Sequence, residues 1–295
     1  MRIAAAAYPL SALEIWKDHA QKLHDWVAEA ATAGADLLVF PEYGRMELAA
    51  LEGMAAAADL ETSLRAAITW TEQANEAMAA LAVQYGVHIL APSGPAKGEA
   101  VRPVNRAFLF GPQGLIGHQD KQVMTRFERE IWDVVQGGPL QVFDTPLGRI
   151  GVLICYDAEF PLLGRALIEA GAEILLVPSC TDSLAGYSRV RIGAMARALE
   201  GQCVVAHAPT VGDAAWCPAV DENIGAAAIC GPPDLGFPAT GIIAEGAMNQ
   251  AGWVFADIER AAIAKVRREG SVLNHAHWSE SANRAAEITS RADLP

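Results

Sequence analysis

The stretch Gly151-Val-Leu-Ile-Cys155-Tyr-Asp-Ala-Glu-Phe-Pro161 opens as an apolar run, places a cysteine at its end and passes through polar residues to a proline. The apolar part reads as a buried strand. Pro161 suits the first turn of a helix, where its missing N–H costs nothing, and Phe160–Ala170 reads as that helix. A strand running through a short turn into a helix is the repeating joint of an α/β protein.

The same alternation extends outward in both directions. Upstream, Leu140–Asp144 and Arg149–Ile154 read as strands about the turn Thr145-Pro-Leu-Gly148, and Asn105–Phe110 and Leu115–Lys121 as a pair about Gly111-Pro-Gln-Gly114. Earlier still, Arg2–Tyr8, Asp36–Phe40 and Val87–Ala91 read as strands. Ser11–Ala33 and Asp59–Tyr85 read as long helices, the first with Leu13, Trp16, Leu23 and Val27 among its apolar positions. Downstream come strands at Glu173–Val177, Gln202–Ala208, Ile224–Ile229 and Trp253–Ile258, and a helix at Tyr187–Glu200. No repeat, low-complexity tract or linker interrupts this pattern, which implies one domain over 1–295, its core about 1–260 and a C-terminal extension 261–295. The turn-linked pairs add antiparallel strands, so a purely parallel sheet is not expected.

Composition narrows the function. The 295 residues carry a net charge of −13 with no Lys/Arg run, the opposite of a phosphate-facing surface, so no nucleic-acid partner is expected. No stretch approaches the roughly 18 apolar residues of a membrane span, and the apolar part of Met1–Pro9 is too short for a signal peptide. The cysteines at 155, 180, 203, 217 and 230 are scattered and odd in number, without a C-x-x-C pair, which is neither a disulfide framework nor a zinc site. A cytoplasmic protein is expected.

Three residues stand out because each follows a strand. Cys155 sits at the strand–turn–helix joint, where backbone amides favour a thiolate, although most free cysteines are simply small buried hydrophobes. Glu42, in Leu-Leu-Val-Phe-Pro41-Glu42-Tyr-Gly44, places a carboxylate behind a buried run, and poor solvation there raises its pKa toward that of a general base. Lys121, in His-Gln-Asp-Lys121-Gln-Val-Met-Thr-Arg-Phe-Glu128-Arg-Glu130, offers a fixed cation for a developing oxyanion and for holding Cys155 as thiolate. Taken singly, Glu42 reads equally as a surface glutamate and Lys121 as part of a solvated charge run. Together they supply base, cation and thiol, and the strand C-termini of an α/β sheet gather such residues on one rim.

In this combination the chain resembles the nitrilase (carbon–nitrogen hydrolase) superfamily. Phe-Pro-Glu42, the strand end at Lys121 and the Cys155 segment stand in that family's order, and the likeness runs from Arg2 to about Ile258, including Val-Pro-Ser179 and Ala-Arg197-Ala-Leu-Glu200. The resemblance implies an αββα sandwich, two mixed sheets flanked by helices, with no metal or organic cofactor. It implies that Glu42, Lys121 and Cys155 are catalytic, and that the backbone N–H of Tyr156 joins Lys121 in holding the oxyanion. Glu128 is the implied supporting glutamate, with Glu130 its neighbour. A small amide-type substrate and a homodimer or larger homo-oligomer follow from the same likeness. Nitrile-hydrolysing members tend to carry Trp-Glu after the cysteine, whereas Tyr156-Asp157 here resembles the amidase-like branches. The alternatives are a nitrilase or N-carbamoyl amino acid hydrolase using the same triad, and a non-catalytic binding or scaffold protein.

Several signals are set aside. His275-Ala-His277 lacks companions for a metal site. Lys265-Val-Arg-Arg268 complements a helix C-terminus. Trp70, Trp132, Trp216 and Trp253 read as packing residues. The Gly/Pro-rich segment Cys230–Gly241 reads as a long surface turn rather than a cover over the site. Arg126, Arg189 and Arg191 are candidates for a substrate carboxylate.

Overall fold

A computed structural model describes residues 1–285; residues 286–295, the end of the extension, lie outside the described part. The strands are β1 (Arg2–Pro9), β2 (Leu37–Val39), β3 (His88–Leu90), β4 (Gly94–Ala96), β5 (Val104–Gly111), β6 (Gly114–Asp120), β7 (Val142–Thr145), β8 (Gly148–Val152), β9 (Ile174–Ser179), β10 (Val204–Asp213), β11 (Glu222–Asn223), β12 (Ala228–Cys230), β13 (Ile242–Glu245) and β14 (Gly252–Asp257). One sheet runs β6-β5-β3-β2-β1-β14, with β4 beside β5, and the other β7-β8-β9-β10-β12-β13. A short parallel pairing, Tyr8 with Thr210 and Pro9 with Val211, joins them at one corner.

The alternation of β1 explains the layers. Ile3, Ala5 and Ala7 pack with Val152, Leu176 and Ala206 of the other sheet, while Ala4, Ala6 and Tyr8 face the helical side. The helices are α1 (Trp16–Thr32), α2 (Met54–Ala57), α3 (Leu60–Thr69), α4 (Thr71–Tyr85), α5 (Pro161–Glu169), α6 (Leu184–Gly201), α7 (Arg260–Glu269) and α8 (Asn274–Ala285). Leu23 and Val27 of α1 and Met78 and Ala82 of α4 cover the first sheet; Leu167 of α5 and Val190, Ala194 and Ala198 of α6 cover the second. The layers therefore stack α-β-β-α, the architecture the resemblance implies. No described helix is long and apolar enough to cross a membrane.

Three expectations need correction. The helix expected over Asp59–Tyr85 is two, broken at Trp70, where the aromatic residue between two threonines is a poor helix former and its indole turns to donate to Glu52 and stack on Trp16. The helix expected from Ser11 begins at Trp16, because the Ser11 N–H is drawn to the Glu47 carboxylate. The strand expected over Ile224–Ile229 is interrupted, since Gly225 lies tight against Pro209 and donates to Asn249. Within the described part of the C-terminal extension, Ile263 and Val266 are fully buried, and the Arg267 guanidinium donates to the carbonyls of Gly201, Gln202 and Ala172. The 230–241 segment turns toward the C-terminal helices, with Asp234 accepting from the N–H groups of Ser271 and Val272.

Candidate active site

The C-terminal ends of β2, β6, β8 and β9 point the same way, because β2 and β9 flank the parallel pair β1–β10 and β6 returns through two antiparallel steps. Glu42, Lys121, Cys155 and Cys180 follow those four ends and line one cavity of about 570 Å³. A larger groove of about 1010 Å³, between α3, α4 and the 96–103 segment, contains none of them.

At the floor, Lys121 Nζ donates to Glu42 Oε1 and Glu128 Oε2, each at 2.7 Å, with all three side chains at most 2% exposed. Glu42 Oε1 also accepts from Asn105 Nδ2 at 2.9 Å, and Oε2 accepts from the Cys180 N–H at 3.0 Å. Glu128 is held by the Tyr43 hydroxyl at 2.7 Å and by the Thr125 N–H and hydroxyl at 2.8 Å. Each carboxylate is thus fixed on both oxygens, which keeps the ammonium at one point. Cys155 is buried, its Sγ 3.8 Å from the Cys180 carbonyl and in hydrogen-bond contact with Glu42.

Two residues of the site hold left-handed backbone, Tyr43 (φ 53°) beside Glu42 and Cys155 itself (φ 50°). Such strain costs about 1–3 kcal/mol per residue and persists only where the surroundings impose it. At Cys155 three contacts do so. The Asp157 carboxylate accepts from the N–H groups of Ile154, Gln122 and Val123 at 2.8–3.2 Å, tying the turn to the end of β6. Arg197 Nη1 donates to the Ala158 carbonyl. Gly193 lets α6 sit against that same carbonyl, which a Cβ would meet at 2.7 Å.

The sequence profile of the family described as Carbon-nitrogen hydrolase matches residues 2–268. The chain belongs to that family. It is 32% identical over 274 residues to a Bacillus subtilis protein called Probable hydrolase YhcX, covering 92% of this chain and 52% of that one. It is 32% identical over 195 residues to Nitrilase 3 of Arabidopsis thaliana, 62% of this chain and 54% of that one. The chain spans about half the length of these curated relatives. Its fold superposes with a TM-score of 0.68 on a cysteine-to-serine mutant of an amidase from Nesterenkonia AN1 of the nitrilase superfamily, at 22% identity, covering 94% and 97% of the two chains.

Electrostatics at this site correct one expectation. Lys121 and the helix-end amides do not leave Cys155 a thiolate. Burial and the Glu42 carboxylate push its thiol well above the ordinary range, and Lys121 opposes them without prevailing, its charge being already shared by two carboxylates. Burial, with Glu128 adding, also raises Glu42, against Lys121. Burial pushes Lys121 down, but Glu128 and Glu42 outweigh it and hold the ammonium charged. Burial likewise raises Glu128, yet Lys121 and the Tyr43 and Thr125 donors keep it below its usual range. The resting arrangement is a protonated thiol facing a buried carboxylate.

Among the expected residues, Tyr156 follows Cys155 in the turn and lines the cavity, as do Arg126, Arg189 and Trp132, while Glu130 lies on the surface paired with Arg126. Arg191 points elsewhere, to Cys230 and Glu245. Asn105, Tyr43, the Cys180 backbone and Asp157 were not foreseen as parts of the site. Asn105 is the one with a usable sign, a polar residue in the apolar run Val104-Asn-Arg-Ala-Phe-Leu-Phe that is 0% exposed. Among the described residues no group of three or more His, Cys, Asp or Glu suits a metal ion.

Proposed function

We propose that the protein is an amidase, hydrolysing a small amide to a carboxylate and ammonia or an amine through a thioester on Cys155. What carries this reading is the buried Glu42–Lys121–Cys155 cluster at the floor of an open cavity. Glu42, raised by burial, takes the thiol proton as Sγ attacks the amide carbon, so the thiolate forms only as it is used. The carbonyl oxygen becomes an oxyanion held by the Lys121 ammonium and the Tyr156 N–H. Glu42 returns the proton to the departing nitrogen, then takes one from water, which cleaves the thioester and restores the thiol. Glu128 fixes the lysine. Tyr156-Asp157 behind the nucleophile favours amides over nitriles.

The test is ammonia release from a panel of aliphatic amides. Cys155→Ala is expected to fold and release none, and Glu42→Gln to accumulate an acyl adduct visible by mass spectrometry. An active Cys155→Ala protein would sink the proposal. The likeness to a plant protein named as a nitrilase supports a second reading on the same residues; conversion of a nitrile to its acid faster than of the matching amide would favour it. The proposal places the enzyme in the cytoplasm, where its five free thiols stay reduced. It also takes the enzyme as a homodimer or larger, in keeping with the exposed Leu162, Ile192 and Leu199 on α5 and α6; light scattering measures the mass.

A further inference from the structure

The cavity above Cys155 is unevenly charged. Six carboxylates line it (Glu42, Glu128, Glu159, Asp182, Asp221 and Glu222) against three cations, Lys121, Arg126 and Arg189. Every one of those cations is already engaged. Lys121 lies between Glu42 and Glu128. Arg126 forms a two-point pair with Glu130, Nε and Nη2 at 3.0 and 2.9 Å. Arg189 Nε is 3.6 Å from Glu159. At the rim, by contrast, Asp182 accepts only from the neighbouring Ser183 hydroxyl and Asp221 only from the Glu222 N–H. Among the described residues neither these two nor Glu222 has a cation within ion-pair distance.

The arginines that the sequence offers for a substrate carboxylate are therefore paired, and the unpaired charge of the mouth is negative. We propose that the cavity selects amides whose far end carries a cation and disfavours amides whose far end carries a carboxylate. The inference rests on the amidase reading above. Phe127, Val190 and Val220 give the cavity apolar wall, which suits an aliphatic spacer between the reacting amide and the charged end. A substrate ammonium entering such a mouth gains from Asp182, Asp221 and Glu222 together, with no protein cation to displace. A substrate carboxylate meets arginines whose charge is already balanced by Glu130 and Glu159, and approaches three like charges.

Three amides of similar length separate the cases: δ-aminovaleramide (cation), hexanamide (neutral) and glutaramate (anion). The expected order of kcat/KM is cation, neutral, anion, with the two ends at least about tenfold apart at low salt and converging as added salt screens the rim. The double variant Asp182→Asn, Glu222→Gln is expected to shrink the cation-to-neutral ratio severalfold. Binding of the same three amides to Cys155→Ala reads the order without turnover. Tighter binding or faster turnover of glutaramate, or no preference among the three, overturns the inference while leaving the amidase reading intact. Ordered binding with no turnover by the wild-type enzyme counts against the amidase reading instead.

Discussion

The protein contains two buried clusters built from the same parts. In one, Glu42, Lys121 and Tyr43 lie at the cavity floor that Cys155 also lines; in the other, Glu47, five residues further along the chain from Glu42, meets Lys22 and Tyr8. Glu47 accepts from Lys22 Nζ, from the Tyr8 hydroxyl at 2.9 Å and from the Ser11 N–H at 2.6 Å. The lysine ammonium lies over a tyrosine ring in both, 4.2 Å from the Tyr8 centroid and 6.0 Å from that of Tyr43. Burial raises Glu47 as it raises Glu42. What differs is access. The first cluster floors an open cavity of about 570 Å³ beside a thiol, whereas the second borders a void of about 10 Å³ closed by Leu23, Met78 and Pro92, with His19 kept neutral by burial, which lowers its pKa to about 4. A displaced carboxylate pKa is thus no mark of catalysis by itself; here one such group faces an open cavity beside a thiol and the other anchors the 44–52 segment to α1.

Lys121→Met breaks the first cluster most severely. It removes the cation proposed to hold the oxyanion, an expected effect of about 10²–10³ in kcat, and leaves Glu42 and Glu128 facing each other without a countercharge. Breaking one side of such a buried network costs about 3–5 kcal/mol. Activity per folded molecule and thermal melting should therefore both fall. Melting unchanged from wild type would mean that the lysine contributes nothing to holding the two carboxylates.

Glu47→Ala makes the matching break in the second cluster, and the comparison predicts a split result. It strands Lys22 and the Tyr8 hydroxyl, so stability falls by about 3 kcal/mol, roughly 6–12 °C for a chain of this size. Activity per folded molecule should stay within about threefold, because Glu47 touches no group of the cavity. Loss of kcat with unchanged melting would reverse the assignment of the two clusters.

The two clusters also show what the sequence reveals. The strand–turn–helix joint at Cys155 and the residues at strand ends were legible from periodicity and from Gly and Pro punctuation, whereas the layers followed only from the family resemblance. Glu42 and Glu47 could not be told apart by environment, since each lies near the end of an apolar run and their difference is set by where the 44–52 turn folds back. Lys121 reads as one member of a charge run, yet it is 1% exposed while Arg126 and Glu130, a few residues on, are on the surface; the turn at Thr125–Glu128 makes that division, and its local sign is a Thr-x-x-Glu capping box in which each side chain bonds the other residue's N–H. The break at Trp70 and the docking of α7 depend on partners distant in sequence, Glu52 and Gly201. The state of the Cys155 thiol depends on a balance among buried groups that only their geometry supplies.

A third buried acid sharpens the comparison by the smallest expected effect. Asp157 is 0% exposed, and burial pushes its carboxyl from 3.8 up to about 7 against Lys121 and its three backbone donors. With the folded pKa above the unfolded one, the fold binds this proton more tightly, so the contribution of the group is complete below its unfolded value and is lost as pH rises through about 7. Asp157→Asn keeps the shape but cannot titrate. Between about pH 4 and pH 7 the wild-type melting temperature should fall more steeply than that of the variant, the gap between the two curves levelling off above neutrality. The variant should also lose about tenfold in kcat at every pH, because an amide group accepts fewer of the N–H bonds that tie the Cys155 turn to Lys121. Parallel melting curves would show that Asp157 is already ionised throughout, its three donors outweighing burial.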